Sequence, residues 1–457
     1  MVEETVSLQL ARYGNALRTN EIPIDVVDAA KLHILDSLGC LLAGSRLEPG
    51  QLAYRLAEAT SNASSNANVT LFGTGGRVSY PDAVQAMAAA AHCGEMDDIH
   101  GGAGTCIGAM VVPALLAMAE KFGGSGRGFI EAAIAGYEAI IRVGLSIDAP
   151  KLFARGWWPS TLCGAFGVAA AGAKFLDWPA EQAANALGIA SLHAGGMLTG
   201  GNEGATARHL AFGRAAQNGI LAILAAEQGL TGPRRALEDP RGFCMTLCAE
   251  PQWQYLQDVT RFYLPEVAFK PYPCARQLHA GVEALLKLLG KHKIDPANIQ
   301  RIELAVPTQN AGMVDRPSTP TLRAATLGSG QYVMAVTALR GRVDLASFDD
   351  EFLQSDAVRA LMAKVKITGS VDLDRYFPKY WSGRVTVTNT EGQPFAHEVI
   401  IPKGESGNPM TAEELRGKFL SLAESVLGKR KAQAVIEEVD RLDSKESLDA
   451  VLKTLRI

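Results

Sequence analysis

Residues 269–279 read Phe-Lys-Pro-Tyr-Pro-Cys-Ala-Arg-Gln-Leu-His, and the sequence changes character at this stretch. Before it, the chain is rich in Ala, Gly and Leu, with apolar residues spaced three and four apart as in helices. After it, short runs alternate between apolar and polar residues, as strands do. The change predicts two domains that meet near this stretch, and a cleft between domains is a common place for a small-molecule site.

Two further patterns extend this prediction along the chain. Helical spacing between residues 25 and 257 is interrupted by glycine clusters, which predicts a helical bundle with closely packed small residues. A strand is predicted over residues 299–306, and a hairpin with strands over 382–388 and 395–401. Amphipathic helices return after residue 411, and we expect them to pack back on the first domain.

Composition limits the classes of protein that are possible. The chain has 457 residues, of which 47% are apolar, and a formal net charge of −4, so it can bury two cores and carries no basic field. Without such a field, we expect no nucleic acid partner. The apolar run over residues 107–119 is shorter than the roughly 18 residues that cross a bilayer. The acidic start of the chain is unlike a signal peptide, so we expect a cytoplasmic protein with no membrane partner.

The seven cysteines give no sign of a disulfide framework or a metal site. They are scattered, and their odd number argues against complete pairing. Cys244 and Cys248 are four apart, but the sequence near them offers no second pair or His to complete a zinc site. We therefore predict no metal.

A run of acidic residues and an imidazole lies beside a glycine-rich loop. Glu95, Asp97, Asp98 and His100 precede Gly-Gly-Ala-Gly at residues 101–104. Crowded carboxylates raise one another's pKa, which is the condition for a general base near neutral pH. The alternatives are a solvated acidic loop and a divalent metal site, and the spacing alone leaves all three open.

A second candidate lies at the start of a predicted helix. Arg208 and His209 follow the glycine-rich segment 195–204. Cations at a helix start oppose the helix dipole, so their presence there predicts an anionic ligand such as a carboxylate or a phosphate. The alternative is a charged side chain that reaches out to solvent.

Residues 269–279 and a later tyrosine add further reactive groups. Lys270 is followed by two prolines that stiffen its backbone, and a partly desolvated lysine can act as acid or base. Arg276 offers a guanidinium that can bind a carboxylate through two hydrogen bonds. Tyr332 could donate a proton or stabilise an enolate oxygen, although burial in the core is the stronger alternative for this residue.

Taken in order, these motifs resemble the MmgE/PrpD family, which includes 2-methylcitrate dehydratase, cis-aconitate decarboxylase and iminodisuccinate epimerase. The matching blocks are residues 35–40, 71–74, 97–98, 213–217, 229–233, 269–274, 331–332, 403–404 and 408–409. The resemblance implies a mainly α fold: an all-α domain over residues 1–266, with 405–457 packed back on it, and an α+β domain over 267–404 inserted between them. It also implies a site between the domains, a homodimer and no cofactor.

The resemblance carries over to some site residues and not to others. Asp97, Asp98, Lys270 and Tyr332 match functional residues of the family. Each of these four side chains can hold or transfer a proton, which is the common step of the family's reactions. The resemblance therefore implies that proton transfer beside a carboxylate is retained.

Three imidazoles of the dehydratase and decarboxylase members are replaced in this chain. Cys106 stands where those members carry a His before a Gly-Ala stretch, and Trp158 replaces the His of their Gly-Phe-His-Pro motif. Residues 208–211 read Arg-His-Leu-Ala in place of Lys-Arg-x-His. His100 is a candidate replacement for one lost imidazole, and the bulk of Trp158 is expected to narrow the pocket.

We therefore expect a cofactor-independent lyase that removes a proton next to a carboxylate of a small di- or tricarboxylate, in the manner of a dehydratase. The assigned residues are Arg208, His209 and Arg276 for carboxylate binding, Cys106 and Trp158 for the pocket, Lys270 or Asp97 as base with Asp98 and His100 beside them, and Tyr332 as acid or enolate partner. The lost imidazoles also fit epimerisation of an α-substituted dicarboxylate such as iminodisuccinate. A catalytically silent paralogue is the second alternative, because relaxed selection also alters site residues.

Overall fold

The computed structural model describes residues 4–61 and 68–457, and helices dominate it. The helices of the first part are α1 (Val6–Ala16), α2 (Ile24–Gly44), α3 (Glu48–Ser61), α4 (Tyr80–Cys93), α5 (Gly108–Phe122), α6 (Gly126–Ser146), α7 (Ala149–Ala154), α8 (Pro159–Phe175), α9 (Ala180–Ser191), α10 (Thr199–Glu203), α11 (Ala207–Glu227), α12 (Phe243–Leu247) and α13 (Gln254–Gln257). Two short antiparallel ribbons accompany them, β1 (Val69–Thr70) with β2 (Arg77–Val78), and β3 (Ile99–His100) with β4 (Thr105–Cys106). The predicted mainly α fold is confirmed.

Small residues let the central helices of this bundle approach closely. A Cβ added at Gly167 on α8 would lie 2.2 Å from Ile140 Cγ1 on α6. One added at Gly136 on α6 would lie 3.0 Å from the carbonyl oxygen of Gly167. Real Cβ atoms do not approach so closely without displacement of the neighbour, so glycine is what permits this helix spacing.

The following part of the chain mixes helices with a four-stranded sheet. Its elements are α14 (His279–His292), β5 (Ile299–Val306), α15 (Thr308–Val314), α16 (Arg323–Thr326), α17 (Gly330–Arg340), α18 (Asp350–Leu353), α19 (Asp356–Met362), β6 (Val365–Gly369), α20 (Val371–Asp374), β7 (Gly383–Asn389) and β8 (Pro394–Val399). The strand order is β6-β5-β7-β8, with β5 parallel to β6 and antiparallel to β7. The predicted strand at 299–306 and the predicted hairpin are confirmed by β5, β7 and β8.

The buried apolar residues form two large clusters. One cluster is built by the helices of the first part and includes Phe419, Val439 and Leu452 from the last helices, α21 (Ala412–Leu427), α22 (Lys429–Asp440) and α23 (Asp449–Leu455). The other is built by residues between 274 and 399. The last helices therefore pack with the first part of the chain, while the domain boundaries at residues 266 and 404 stay a prediction.

A buried ion pair fastens the last helices to the first part. Lys418 on α21 lies 2.6 Å from Asp36 on α2, and both side chains are almost fully buried. The same ammonium group donates a hydrogen bond of 2.7 Å to the carbonyl oxygen of Met96. Lys418 therefore holds the backbone of the segment that follows α4.

No helix of the described residues combines the length and the apolar composition that are needed to cross a membrane.

Replacing Lys418 by Met should destabilise the fold, because Asp36 would stay buried without its cation. Removing one partner of a buried ion pair costs about 3 kcal/mol or more, whereas changes at exposed sites cost about 0.5 kcal/mol or less. Urea denaturation of Lys418→Met and of the exposed control Lys429→Met measures both effects. Equal unfolding free energies for the two variants would contradict the role given to this pair.

Candidate active site

A pocket opens where the two apolar clusters meet. The first part of the chain contributes side chains from the end of α4 and the segment after it, from the start of α8 and from the start of α11. The second part contributes Lys270, residues 275–277, residues 313 and 316, and residue 328. The stretch at 269–279, at which the sequence changes character, therefore lies at the pocket.

Glu95 links two cations inside this pocket. It follows the end of α4 with φ of 51°, a left-handed conformation that is uncommon for residues other than glycine. Its Oε1 lies 2.7 Å from Arg208 and its Oε2 lies 3.0 Å from Lys270. Sequence reasoning named the acidic run but did not select Glu95, although an acidic residue directly after a helix was a usable signal.

Neighbouring charges set the protonation states of Glu95 and Lys270. Burial alone would raise the pKa of Glu95, but the charges of Lys270 and Arg208 hold that pKa well below its ordinary value. Burial alone would lower the pKa of Lys270, but the negative charges of Glu95 and Asp97 raise it above its ordinary value. Lys270 is therefore an ammonium ion, suited to bind anions or donate a proton and unsuited to act as the base.

Asp97 is buried behind the pocket and holds an imidazole. Its Oδ2 lies 2.9 Å from Nδ1 of His92, which is on the last turn of α4 and lines the pocket. Its Oδ1 lies 3.8 Å from the ammonium of Lys270. Sequence reasoning missed His92, although its position five residues before Asp97 and beside the acidic run was a signal.

Asp98 faces the core and does not line the pocket. Its carboxylate accepts hydrogen bonds from the backbone N–H of Gly108, at 2.8 Å, and from the hydroxyl of Tyr137, and it lies 2.8 Å from Nδ1 of His33. Burial alone would raise its pKa, but the contacts with His33 and the other donors lower it. Asp98 therefore fixes the start of α5, and the structure does not bring it to the predicted catalytic position.

His100 also lies away from the pocket lining. Its Nδ1 accepts a hydrogen bond of 3.0 Å from the backbone N–H of Ala103, and its Nε2 lies 3.9 Å from Glu266. Burial, with a smaller effect from Arg261, lowers its pKa to about 4. The structure therefore does not place His100 where it could replace an imidazole of the pocket.

Tyr332 is buried in the second apolar cluster and is not among the residues that line the pocket. It lies on α17, and its hydroxyl donates a hydrogen bond of 3.0 Å to the carbonyl oxygen of Ser347. Burial raises its pKa to about 12. Because Tyr332 does not line the pocket, the geometry does not support the predicted acid role, and the core alternative describes its position.

Neither Arg276 nor His209 offers the positive charge that its predicted role in carboxylate binding requires. Arg276 lines the pocket, but two of its nitrogens already contact Oε1 of Glu405, at 2.6 and 3.1 Å. His209 lies behind His92, with 5.7 Å between the ring centroids, and does not line the pocket. Burial, helped by the charge of Arg208, holds the pKa of His209 well below its ordinary value. His209 is therefore a neutral imidazole and adds no positive charge.

Arg208 and a second arginine, Arg316, bring positive charge to the pocket from the two parts of the chain. Arg208 lies over the ring of Trp158, 5.1 Å from its centroid. Arg316 donates a hydrogen bond of 2.8 Å to Gly201 and crosses Gly328, where an added Cβ would lie 2.7 Å from its guanidinium. Burial and the charge of Arg208 lower the pKa of Arg316. Sequence reasoning missed Arg316, because its segment carries no motif.

Cys106 and Trp158 line the pocket. Burial raises the pKa of the Cys106 thiol well above its ordinary value, so the side chain is a protonated thiol. Donor atoms of His92, Asp97 and Cys106 lie within 4.8 Å of one another, a spacing that could hold a metal ion. The nearby ammonium of Lys270 opposes a cation at this place, and the absence of a metal stays a prediction.

Comparison with known families fits this architecture. Residues 8–256 match the MmgE/PrpD N-terminal domain, and residues 272–444 match the MmgE/PrpD C-terminal domain. The chain therefore belongs to the MmgE/PrpD family, and the resemblance seen in the sequence is confirmed.

Three related proteins match this chain over nearly the whole length of both sequences. A cis-aconitate decarboxylase-like protein of Aspergillus oryzae is 28% identical, over 98% of this chain and 97% of that protein. A cis-aconitate decarboxylase of Aspergillus terreus is 26% identical, over 98% of this chain and 96% of that protein. The cis-aconitate decarboxylase of Mus musculus is 27% identical, over all of this chain and 94% of that protein.

Replacing Glu95 by Gln should destabilise the protein most at neutral pH. The folded-state pKa of Glu95 lies below its ordinary value of 4.5, so its ionised form stabilises the fold above that pH and the effect is lost as the pH falls. We expect a loss of about 3 kcal/mol at neutral pH that narrows below about pH 4.5. Urea denaturation across this pH range, with the exposed control Glu424→Gln, measures it. A loss that does not change with pH would contradict the ion-pair explanation.

Proposed function

We propose that the chain is a lyase that acts on a small di- or tricarboxylate, by elimination or decarboxylation. One observation carries the proposal: Lys270 is buried in the pocket next to the mostly buried Arg208, with Glu95 between them. The cis-aconitate decarboxylases that the chain resembles support the same class of reaction and of substrate. The homodimer and the cytoplasmic location implied by the sequence stay predictions.

Cations from both parts of the chain line the pocket, which suits an anionic substrate. Lys270 and Arg316 belong to the second part and Arg208 to the first. Arg276 also lines the pocket, but it forms an ion pair with Glu405. Guanidinium groups bind carboxylates through paired hydrogen bonds, so a substrate with several carboxylates can contact cations from both parts of the chain.

The protonated amine suits the chemistry of carbon acids. Removing a proton or carbon dioxide next to a carboxylate leaves an electron pair on carbon that delocalises onto the carboxylate oxygens. The ammonium of Lys270, held in a site where little water enters, stabilises that charge as it develops. Lys270 is thus assigned to charge stabilisation and proton donation, and not to removal of the proton.

Epimerisation of an α-substituted dicarboxylate is the second candidate. Cys106 and Trp158 stand in the pocket where dehydratase and decarboxylase members of the family are expected to carry imidazoles, which favours a reaction with no leaving group to protonate. Epimerisation needs only removal of a proton and its return on the other face.

Replacing Lys270 by Met should remove turnover in protein that is still folded, because Glu95 keeps Arg208 as a partner. Loss of a single group that stabilises developing charge lowers kcat by about 100-fold or more. The exposed Lys287→Met, which removes a surface ammonium, serves as the matched control. Steady-state kinetics with citrate, methylcitrate, aconitate, malate-like and amino-dicarboxylate substrates tests this expectation. Wild-type protein that converts none of these acids would instead favour a catalytically silent paralogue.

Incubation of the same acids in deuterium oxide should distinguish the two reactions. For a lyase we expect a change in the ultraviolet absorbance of a conjugated double bond or release of carbon dioxide. An epimerase would instead introduce one solvent deuterium at the α-carbon and leave the rest of the mass unchanged. Mass spectrometry and absorbance on the same samples decide between them, and deuterium exchange without a new product would reject the lyase.

A further inference from the structure

We infer that His92 is the residue that transfers the substrate proton in this pocket, and that Asp97 positions it. The inference rests on the proposed function, since it names the proton-transferring group of the same reaction. It replaces the earlier assignment of Lys270 or Asp97 as the base, because Lys270 is protonated and Asp97 does not line the pocket.

His92 is the imidazole that the pocket offers. The chain has eight histidines, all within the described residues, and His92 is the one that lines the pocket. His33, His100 and His279 are engaged by other groups in the interior, and His209 lies behind His92. The remaining three are His193, His292 and His397, which lie elsewhere.

Asp97 fixes which nitrogen of His92 is available. A carboxylate can only accept a hydrogen bond, so the 2.9 Å contact places the proton on Nδ1 and leaves the lone pair on Nε2. Phe212 stacks against the ring, with 4.0 Å between centroids and 9° between planes. The ring orientation is therefore set by a hydrogen bond on one edge and by an aromatic face.

Nε2 of His92 is left without a partner in the interior. It is buried, and it has no hydrogen-bond partner in the described part of the chain. It lies 3.7 Å from Oε1 of Glu95, the carboxylate that bridges Arg208 and Lys270. A buried polar atom that makes no hydrogen bond needs an explanation, and a group of the substrate in the pocket supplies one.

The proton transfer balances without another reactant. In elimination, Nε2 accepts the proton from the carbon next to the carboxylate, and the C–H electron pair forms the new double bond as the C–O bond breaks. The imidazolium, stabilised by Asp97, then returns its proton to the leaving hydroxide, and water departs. In decarboxylation of an unsaturated acid, the electron pair of the existing C=C bond takes the proton of the imidazolium onto carbon. The electrons of the broken C–C bond form the new double bond as carbon dioxide leaves, and the imidazole regains its proton from water.

A metal ion on His92, Asp97 and Cys106 would give the same residues another role. Lys270 lies 3.8 Å from Asp97 and faces these donors, so a divalent cation would meet an ammonium at close range. Treatment of the purified protein with a chelator tests this. Loss of turnover that returns with added metal would overturn the inference, and unchanged turnover supports it.

Two variants test the inference, and a third serves as control. For His92→Gln we expect kcat to fall by about 100-fold or more with little change in KM, because one general acid–base group contributes about that much. The acid limb of the pH profile of kcat/KM should disappear with it. For Asp97→Asn, which keeps the shape of the side chain, we expect a lower kcat and a shifted acid limb. His193→Gln, at an exposed imidazole that does not line the pocket, should keep both.

The outcomes separate this inference from the proposed function. Wild-type turnover that His92→Gln keeps, with an unchanged pH profile, would overturn the role of His92 and leave the lyase in place. Wild-type protein that converts no polycarboxylate would overturn both. If His92→Gln fails to fold, Asp97→Asn decides, because a purely structural aspartate would alter stability without moving the pH profile.

Discussion

The carboxylate of Glu95 between Lys270 and Arg208 is the interaction on which the site depends. Burying each of these ions alone would cost several kcal/mol, so they are stable in the interior only because they neutralise one another. The three residues come from the end of α4, the start of α11 and the stretch at 269–279. One shared carboxylate thus joins both parts of the chain at the pocket and keeps the lysine charged.

The adjacent residues Asp97 and Asp98 contact different parts of the structure, one on the pocket side and one in the core. Asp97 turns toward His92 and Lys270, while Asp98 turns away and binds the N–H of Gly108 and the hydroxyl of Tyr137. Two neighbouring acids of one loop therefore contact different sides of it, one toward the pocket and one toward the core. The strained backbone at Glu95 and the fixed loop beyond it together set the direction of each carboxylate.

Much of the fold could be predicted from the sequence, and the site only in part. Helical spacing and the alternation at 299–306 identified the helices and strands, because periodicity records which face is buried. The charged residues Lys270 and Arg208 were found through their unusual context, and both lie at the pocket. For Tyr332 the sequence favoured burial in the core and left a catalytic role open, and the packing of the phenol in the second apolar cluster decides between them. The sequence also does not show which charged side chains form ion pairs in the folded protein. Arg276, for example, pairs with Glu405.

The hydrogen bond from Lys418 to Met96 has a consequence for folding during synthesis of the protein. These residues are 322 positions apart, so the segment that carries Glu95 and Asp97 emerges from the ribosome long before the lysine that steadies it. Domains generally fold in the order of synthesis, but this segment gains its hydrogen bond only after α21 has been made. Nascent chains that stop short of α21 therefore lack a contact that fixes the backbone beside the pocket.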